Sequence, residues 1–204
     1  MPSTQVHRTQ TLVLGSGLAG LYFALQVADR RSVTILTKHQ RESSNTRWAQ
    51  GGISAVFDPE DSVEAHVHDT LEVGAGLCRE DFVRYAVELG PKLVSGLARD
   101  FGVQFDRVGN EDGAPFVLGR EGGHSQRRVV HHRDMTGAEI ERALVEAVER
   151  HPNITILEHH DAGRELPSAR KHLGNRASRV DVAAGERLHV QAWQVCALDQ
   201  PLDR

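Results

Sequence analysis

Gln10-Thr11-Leu12-Val13-Leu14-Gly15-Ser16-Gly17-Leu18-Ala19-Gly20-Leu21-Tyr22-Phe23-Ala24 is the stretch on which the fold turns. Its first five residues are a short, mostly apolar run with the composition of a buried strand. From Leu21 a helical pattern continues to Asp29, and a second apolar run, Val33 to Leu36, follows. Strand, glycine turn, helix and strand in that order make a β-α-β unit. The glycines stand at G-x-G-x-x-G spacing, and each has a task. Gly15 makes the tight turn, Gly17 lets a pyrophosphate approach the backbone, and Gly20 lets the helix lie close to the strand. Ser16, Leu18 and Ala19 complete a loop whose amide hydrogens, with the partial positive charge of a helix start, favour phosphate. The alternative is a purely structural glycine turn. The strand before, the helix after and the second strand in place favour dinucleotide binding over it.

Spacing leaves open which dinucleotide is bound. The acidic residue expected at the end of the second strand for a ribose hydroxyl is missing, because Leu36 is followed by Thr37, Lys38 and His39. This basic end, with Arg41 beyond it, would suit the 2′-phosphate of NADP. Equally, Thr37 and Lys38 would contact the adenosine side of FAD.

Working outward, Lys38 to Gly52 is polar and too long for an ordinary connection, which marks it as functional or mobile. Ile53 to Phe57 closes it. From Asp61 a helix is expected, with Val63, Val67 and Leu71 on one stripe and Gly74 and Gly76 as its stop. Two further helices are expected at Glu80 to Leu89 and Pro91 to Phe101, making a helical insertion at about 60–102. Val103 to Val117 is loop-rich, and Arg120 to His132 reads as a charged hairpin. Thr136-Gly137-Ala138-Glu139 has the form of a capping box, and Ile140, Leu144 and Val148 give the helix 136–150 its apolar stripe. His151-Pro152 ends it, and Ile154 to Leu157 reads as a strand returning to the first sheet. After Asp161 the composition shifts to small and charged residues. Alternation at Leu188, Val190 and Ala192 is the only strand signal there.

The 204 residues, 39% hydrophobic, suffice for one sizeable core. Lys+Arg 24 against Asp+Glu 28 leaves a formal charge of -4, which gives no electrostatic case for nucleic acid or an anionic membrane and points to small-molecule partners. No apolar run approaches the roughly 20 residues a bilayer requires, and Met1 to Gln10 is too polar for a secretory leader, so a cytoplasmic protein is expected. Cys78 and Cys196 stand far apart and support neither a disulfide framework nor a zinc site. Twelve histidines include the pairs His66/His68, His131/His132 and His159/His160. No metal site is expected from them, because i, i+2 on a helix and adjacent positions on a strand point to different sides.

The segment Ser43-Ser44-Asn45-Thr46-Arg47-Trp48-Ala49-Gln50-Gly51-Gly52 resembles the flavin-wrapping loop of the succinate dehydrogenase and fumarate reductase flavoprotein family. Such a loop offers small hydroxyls, an amide and bare glycine N–H groups to phosphate and to the flavin ring. Members that attach FAD covalently carry His where this chain has Asn45, so the resemblance implies non-covalent FAD. Within the family the likeness is to the L-aspartate oxidase branch, from Gly15 to about Asp161. It includes Trp48 to Phe57, Gly74 to Cys78, Arg120-Glu121-Gly122-Gly123-His124-Ser125, Thr136 to Glu141 and His151 to Ile154.

The resemblance implies an α/β, Rossmann-like FAD-binding domain of the glutathione-reductase-like kind at 1–162, with the helical insertion and with Asp161 and Ala162 on the adenine side. It further implies oxidation of L-aspartate to iminoaspartate, the first step toward quinolinate and NAD. Hydride would pass from the substrate Cα to flavin N5, with oxygen or fumarate as acceptor. Glu121 would orient the α-ammonium; read without the resemblance, it is a turn carboxylate paired to Arg120 or Arg127. His124, Arg127 and Arg128 could offer donors to the substrate carboxylates in part.

Residues 163–204 resemble the family only faintly, and Val195-Cys196-Ala197-Leu198 stands where a strand ending in Ala-Thr-Gly-Gly is expected. The fold is therefore expected to be incomplete at its C-terminal side, lacking a capping domain and the arginine the family uses as acid and base. Weak FAD binding, exposed apolar surface and no turnover by this chain alone follow as expectations. Two other readings stay open at this point, an NADP-dependent reductase and a non-catalytic nucleotide-binding remnant.

Overall fold

Two apolar stretches joined by a glycine turn and a helix can bury themselves only by pairing, and they do. In the computed structural model, which describes residues 5–109, 111, 113–162, 178–184 and 186–197, β1 (Gln5–Leu14) and β2 (Val33–Leu36) run parallel on either side of α1 (Leu18–Val27) in sequence. The remaining elements, in chain order, are β3 (Ile53–Ser54), α2 (Val63–Val73), α3 (Glu80–Phe101), β4 (Leu118–Gly119), β5 (Val129–Val130) and α4 (Thr136–Arg150). β6 (Ile154–Leu157), β7 (Asp161–Ala162), β8 (Ser178–Ala184) and β9 (Glu186–Ala197) follow. The chain divides into two compact units, Met1–Thr46 with Leu144–Arg204, and Arg47–Ala143.

The first unit holds a six-stranded sheet in the order β6-β2-β1-β9-β8-β7. β6, β2, β1 and β9 are parallel, with Leu14 level with both Leu36 and Ala197. β8 turns antiparallel to β9, and β7 to β8. β2 is buried at all four positions, as a strand covered on both faces must be. The strand expected at Ile154 to Leu157 takes its place beside β2. The tail, expected to carry one weak strand near Leu188 to Ala192, supplies two, while 163–177 and Leu198 lie outside the described residues.

The second unit holds the small antiparallel sheet β3-β5-β4 with α2 and α3. The expected hairpin is present, closed by Leu118 against Val130 and Gly119 against Val129. Phe116 packs edge-on between Phe57 and Phe105, at centroid distances of 4.9 and 5.7 Å. Two local expectations fail here. Pro91 does not separate two helices, because α3 runs unbroken through it. Its buried positions Val87 before the proline and Val94 and Leu97 after it lie toward one face, and burial on both sides of the proline outweighs the roughly 3 kcal/mol that an interior proline costs. Nor does the capping box form. Thr136 is already helical and its hydroxyl accepts the His132 N–H, while Glu139 takes the Gln104 N–H at 2.9 Å and pairs with Arg142.

Candidate functional site

The first unit builds an anion cradle from the glycine turn. Gly15, at φ 98°, ties its N–H to the Leu36 carbonyl (2.8 Å) and swings the chain from β1 into α1. A Cβ on Gly20 would stand 2.3 Å from the Gly15 carbonyl oxygen, so only glycine lets the helix sit so close. On Gly17, by contrast, an added Cβ would meet only Thr46 Oγ1, at 3.5 Å, so the loop's backbone is bare on that side. No side chain of the Gly17 N-cap closes the start of α1, and no acidic residue lies in its first turn. Thr46 holds the loop by accepting the Leu18 N–H at 3.0 Å, and buried Ser16 donates to Thr37 Oγ1 at 3.1 Å. A bare amide turn with no competing anion fits a pyrophosphate.

At the end of β2, Thr37 is fixed by its N–H to Leu157 and its carbonyl to the His160 N–H, with exposed Lys38 next in the chain. Arg41 is not available to a 2′-phosphate. Its Nε and Nη2 each lie 3.0 Å from Glu158, its Nη1 lies 2.6 Å from Glu149, and its backbone N–H also donates to Glu158. The Arg41 guanidinium holds the Glu158 carboxyl down at about 2, and the same pairing raises Arg41. Asn45 is exposed. Asp161 and Ala162 form β7, antiparallel to Ala183 and Val182; their side chains lie outside the described residues.

The second unit carries the rest of the loop. Arg47, Trp48, Ala49, Gln50, Gly51 and Gly52 are all exposed, Trp48 by 74%. The strap is nevertheless anchored at both ends. The Ala49 carbonyl accepts the Gly137 N–H at 3.0 Å, and β3 pairs Ile53 with Val130 and Ser54 with Val129. Gly52 is needed for that approach, since its Cβ would lie 2.3 Å from the Val130 carbonyl oxygen. A Cβ on Gly51 would meet nothing within 4 Å, so the chain is open on that side.

β5 continues backward into the turn that bears Glu121. Glu121 and His124 close it through a 3.2 Å N–H to carbonyl bond, with Gly123 at φ 84° in the third position, as a type II turn requires. Glu121 is exposed, and neither Arg120 nor Arg127 pairs with it. Arg120 donates to the His124 carbonyl at 2.8 Å and Arg127 to that of Leu118 at 3.5 Å.

Arg128, expected as a partial substrate donor, is instead fully buried. It grips Asp61 through Nε (2.9 Å) and Nη2 (2.8 Å), and Asp69 through Nη1 (2.5 Å). Burial works against its charge, and the two carboxylates more than offset that, so its pKa is raised. Burial likewise tends to raise Asp69, but the Ser125 N–H, the Ser125 hydroxyl and Arg128 hold it down at about 2. His66 is buried on the same helix and is held below the usual imidazole range by burial first, then by Arg128 and His124.

Sequence reasoning missed Asp61, Asp69, His66 and Ser54, since a buried aspartate on a helix face reads as solvated until its arginine is known. The argument that adjacent histidines point apart also fails for His131 and His132. Both lie beyond β5, and both rings approach Asp106, at 3.1 and 3.8 Å. Among the described residues no group of three or more ligating side chains could hold a metal.

The sequence profile described as "FAD binding domain" matches residues 10–167. The chain belongs to this FAD-binding family. FAD is therefore its cofactor. Among curated relatives, L-aspartate oxidase 2-a (chloroplastic) of Nicotiana tabacum is 53% identical over 150 residues, covering 74% of this chain and 23% of the relative. L-aspartate oxidase of Vibrio cholerae is 46% identical over 164 residues, 79% of this chain and 30% of the relative. The chain thus spans less than a third of the length of these relatives. A solved quinol fumarate reductase of E. coli superposes with TM-score 0.79 at 23% identity, covering 95% of this chain and 33% of that one, which shows a shared fold. Within the family the fold is α/β, and no helix among the described residues is long and apolar enough to cross a membrane.

Proposed function

We propose that this chain is the FAD-binding segment of an enzyme that oxidises L-aspartate to iminoaspartate, the opening step toward quinolinate and NAD, with oxygen or fumarate as final acceptor. The observation that carries the substrate reading is Glu121, a carboxylate presented on a fixed turn with no cation paired to it among the described residues. An α-ammonium is the partner such a group lacks. The relatives named above support the same substrate, since they are L-aspartate oxidases.

Bound FAD supplies the hydride acceptor for the Cα–H of the substrate. The protein's part is to bind and orient. Gly15, Ser16, Gly17, Leu18, Ala19 and Gly20 hold the pyrophosphate, Lys38 with Asp161 and Ala162 the adenosine side. Asn45, Thr46, Arg47, Trp48, Ala49, Gln50, Gly51 and Gly52 hold the flavin side. With Asn45 and no histidine in the position used for covalent attachment, FAD is bound non-covalently. Glu121 fixes the ammonium and thereby aims Cα–H.

The test is titration of the FAD-loaded protein with L-aspartate and with succinate, which has no ammonium, following the visible flavin spectrum. Wild type should prefer L-aspartate, and Glu121→Gln should lose that preference by about 10- to 100-fold, the range of a charge-assisted hydrogen bond. Absence of any FAD effect on melting or flavin fluorescence in folded protein refutes the cofactor reading. An unchanged preference in Glu121→Gln refutes the substrate reading.

A further inference from the structure

We propose that His124, together with Ser54, is a carboxylate-binding pair of the same site, donating to a carboxylate of the amino dicarboxylate whose ammonium Glu121 holds. The proposal rests on the substrate reading above; it takes His124 alone of the three donors expected from the sequence and adds Ser54, which had no role.

The first argument is the imidazole's tautomer. The Glu121 backbone N–H points at His124 Nδ1, at 3.4 Å. An amide can only donate, so Nδ1 offers its lone pair and the ring proton sits on Nε2. Nε2 lies 3.4 Å from Ser54 Oγ, a contact as long as the one at Nδ1, so the Nε2–H and the rotatable hydroxyl can both turn to a shorter, charged partner. A carboxylate oxygen between them would accept from Nε2–H and from the rotatable hydroxyl at about 2.7–2.9 Å each.

The second argument is distance. An α-ammonium and an α-carboxylate share one carbon, so their partners must lie a few ångströms apart. Residues one and four of a tight turn meet that requirement, with Cα atoms less than about 7 Å apart.

The third is that the pair is held still. The His66 ring meets the His124 ring edge-on at 6.1 Å, and His66 is 7% exposed, with no hydrogen-bond partner for its Nδ1 among the described residues. The next residue, Ser125, is bound through N–H (2.7 Å) and hydroxyl (2.8 Å) to Asp69. Gly123 closes on Val73, where a Cβ would come within 2.5 Å of Cγ2. His66, Asp69 and Val73 stand at i, i+3 and i+7 of α2, so one face of one helix supports the whole turn. The three cations Arg120, Arg127 and Arg128 match the three anions Asp61, Asp69 and Glu121 in number, so the turn carries no net charge against an anion.

The experiment is titration of the chain with succinate and with L-aspartate, with and without FAD, while the imidazole nitrogens of 15N-histidine protein are followed by NMR and ligand affinities are measured. We expect His124 in the Nε2–H form, shifting on addition of succinate. His124→Ala should weaken both ligands by the same factor, roughly tenfold for one lost hydrogen bond to a charged group, so that the preference for L-aspartate survives. His124→Gln, whose side-chain amide reaches the Nε2 position, should recover most of the affinity. An Nδ1–H tautomer, a His124 signal unmoved by succinate, or unchanged succinate affinity in His124→Ala each overturn the proposal. Failure of FAD to bind would sink the cofactor reading, while the imidazole response to succinate would still decide this one.

Discussion

Asp69→Asn isolates one charge in the buried network beneath the Glu121 turn. Asp69 Oδ2 accepts from Ser125 N (2.7 Å), Ser125 Oγ (2.8 Å) and Arg128 Nη1 (2.5 Å), and its carboxyl is held at about 2 against an ordinary 3.8. Asparagine keeps an oxygen for the Ser125 N–H and removes the charge. A separation of that size between folded and unfolded carboxyl corresponds to about 2 kcal/mol of folding stability, present in full above about pH 5. The folded value is the lower one, so the contribution is lost as pH falls through about 4 toward about 2. Urea unfolding at neutral pH should therefore show a loss of about 2 kcal/mol in the variant, narrowing steadily as the titration is repeated at about pH 3. Arg128→Met strands both carboxylates and should cost more, about 3–5 kcal/mol at neutral pH. If Asp69→Asn is as stable as wild type at neutral pH, or if its deficit is the same in acid, the network does not carry the energy assigned to it.

Two other perturbations separate roles that look alike in sequence. Gly20→Ala places a methyl 2.3 Å from a backbone carbonyl and should cost more than about 3 kcal/mol, whereas Gly17→Ala meets only Thr46 Oγ1 and should stay within about 1 kcal/mol of wild type. Gly17→Ala should still bind FAD at least about tenfold more weakly, because its methyl lies on the bare side of the loop; unfolding curves and FAD titrations on both variants check the contrast. Arg41→Ala frees Glu158 from about 2 toward its ordinary 4.5. Discounted for partial exposure, it should cost about 1–2 kcal/mol at neutral pH, with the deficit closing as pH falls below about 4 in parallel melts.

What the sequence disclosed was local. The turn from Gly15 to Gly20, the strands on either side of α1 and the stripe of Ile140, Leu144 and Val148 depend on neighbours within a few residues, and they were legible for that reason. What it hid was set by partners far along the chain. Arg128 reads as a surface cation until Asp61 and Asp69, 67 and 59 residues earlier, are seen beside it. Arg41 reads as a phosphate ligand until Glu158, 117 residues later, is seen to bind it. Pro91 reads as a helix boundary until the face shared by Val87 and Leu97 is seen to be buried. In each case a long-range contact overrode a correct local tendency.

Burying Arg128 with two aspartates is a poor way to gain stability, since desolvation consumes much of the attraction. Its geometric consequence is more useful. Arg128 follows Glu121 by seven residues and directly precedes β5, whose partner β3 follows the strap that ends in Gly51 and Gly52. The Ala55 N–H also donates to the Arg128 carbonyl at 2.9 Å, and the Arg128 N–H to that of Gly119 at 3.0 Å. One residue therefore fixes the strap through its backbone and the Glu121 turn through its side chain. Glu121 is exposed, so no burial of its own can hold it. Its position has to be set from beneath, by the face of α2 that carries His66, Asp69 and Val73, and that is where the second unit places its buried charge.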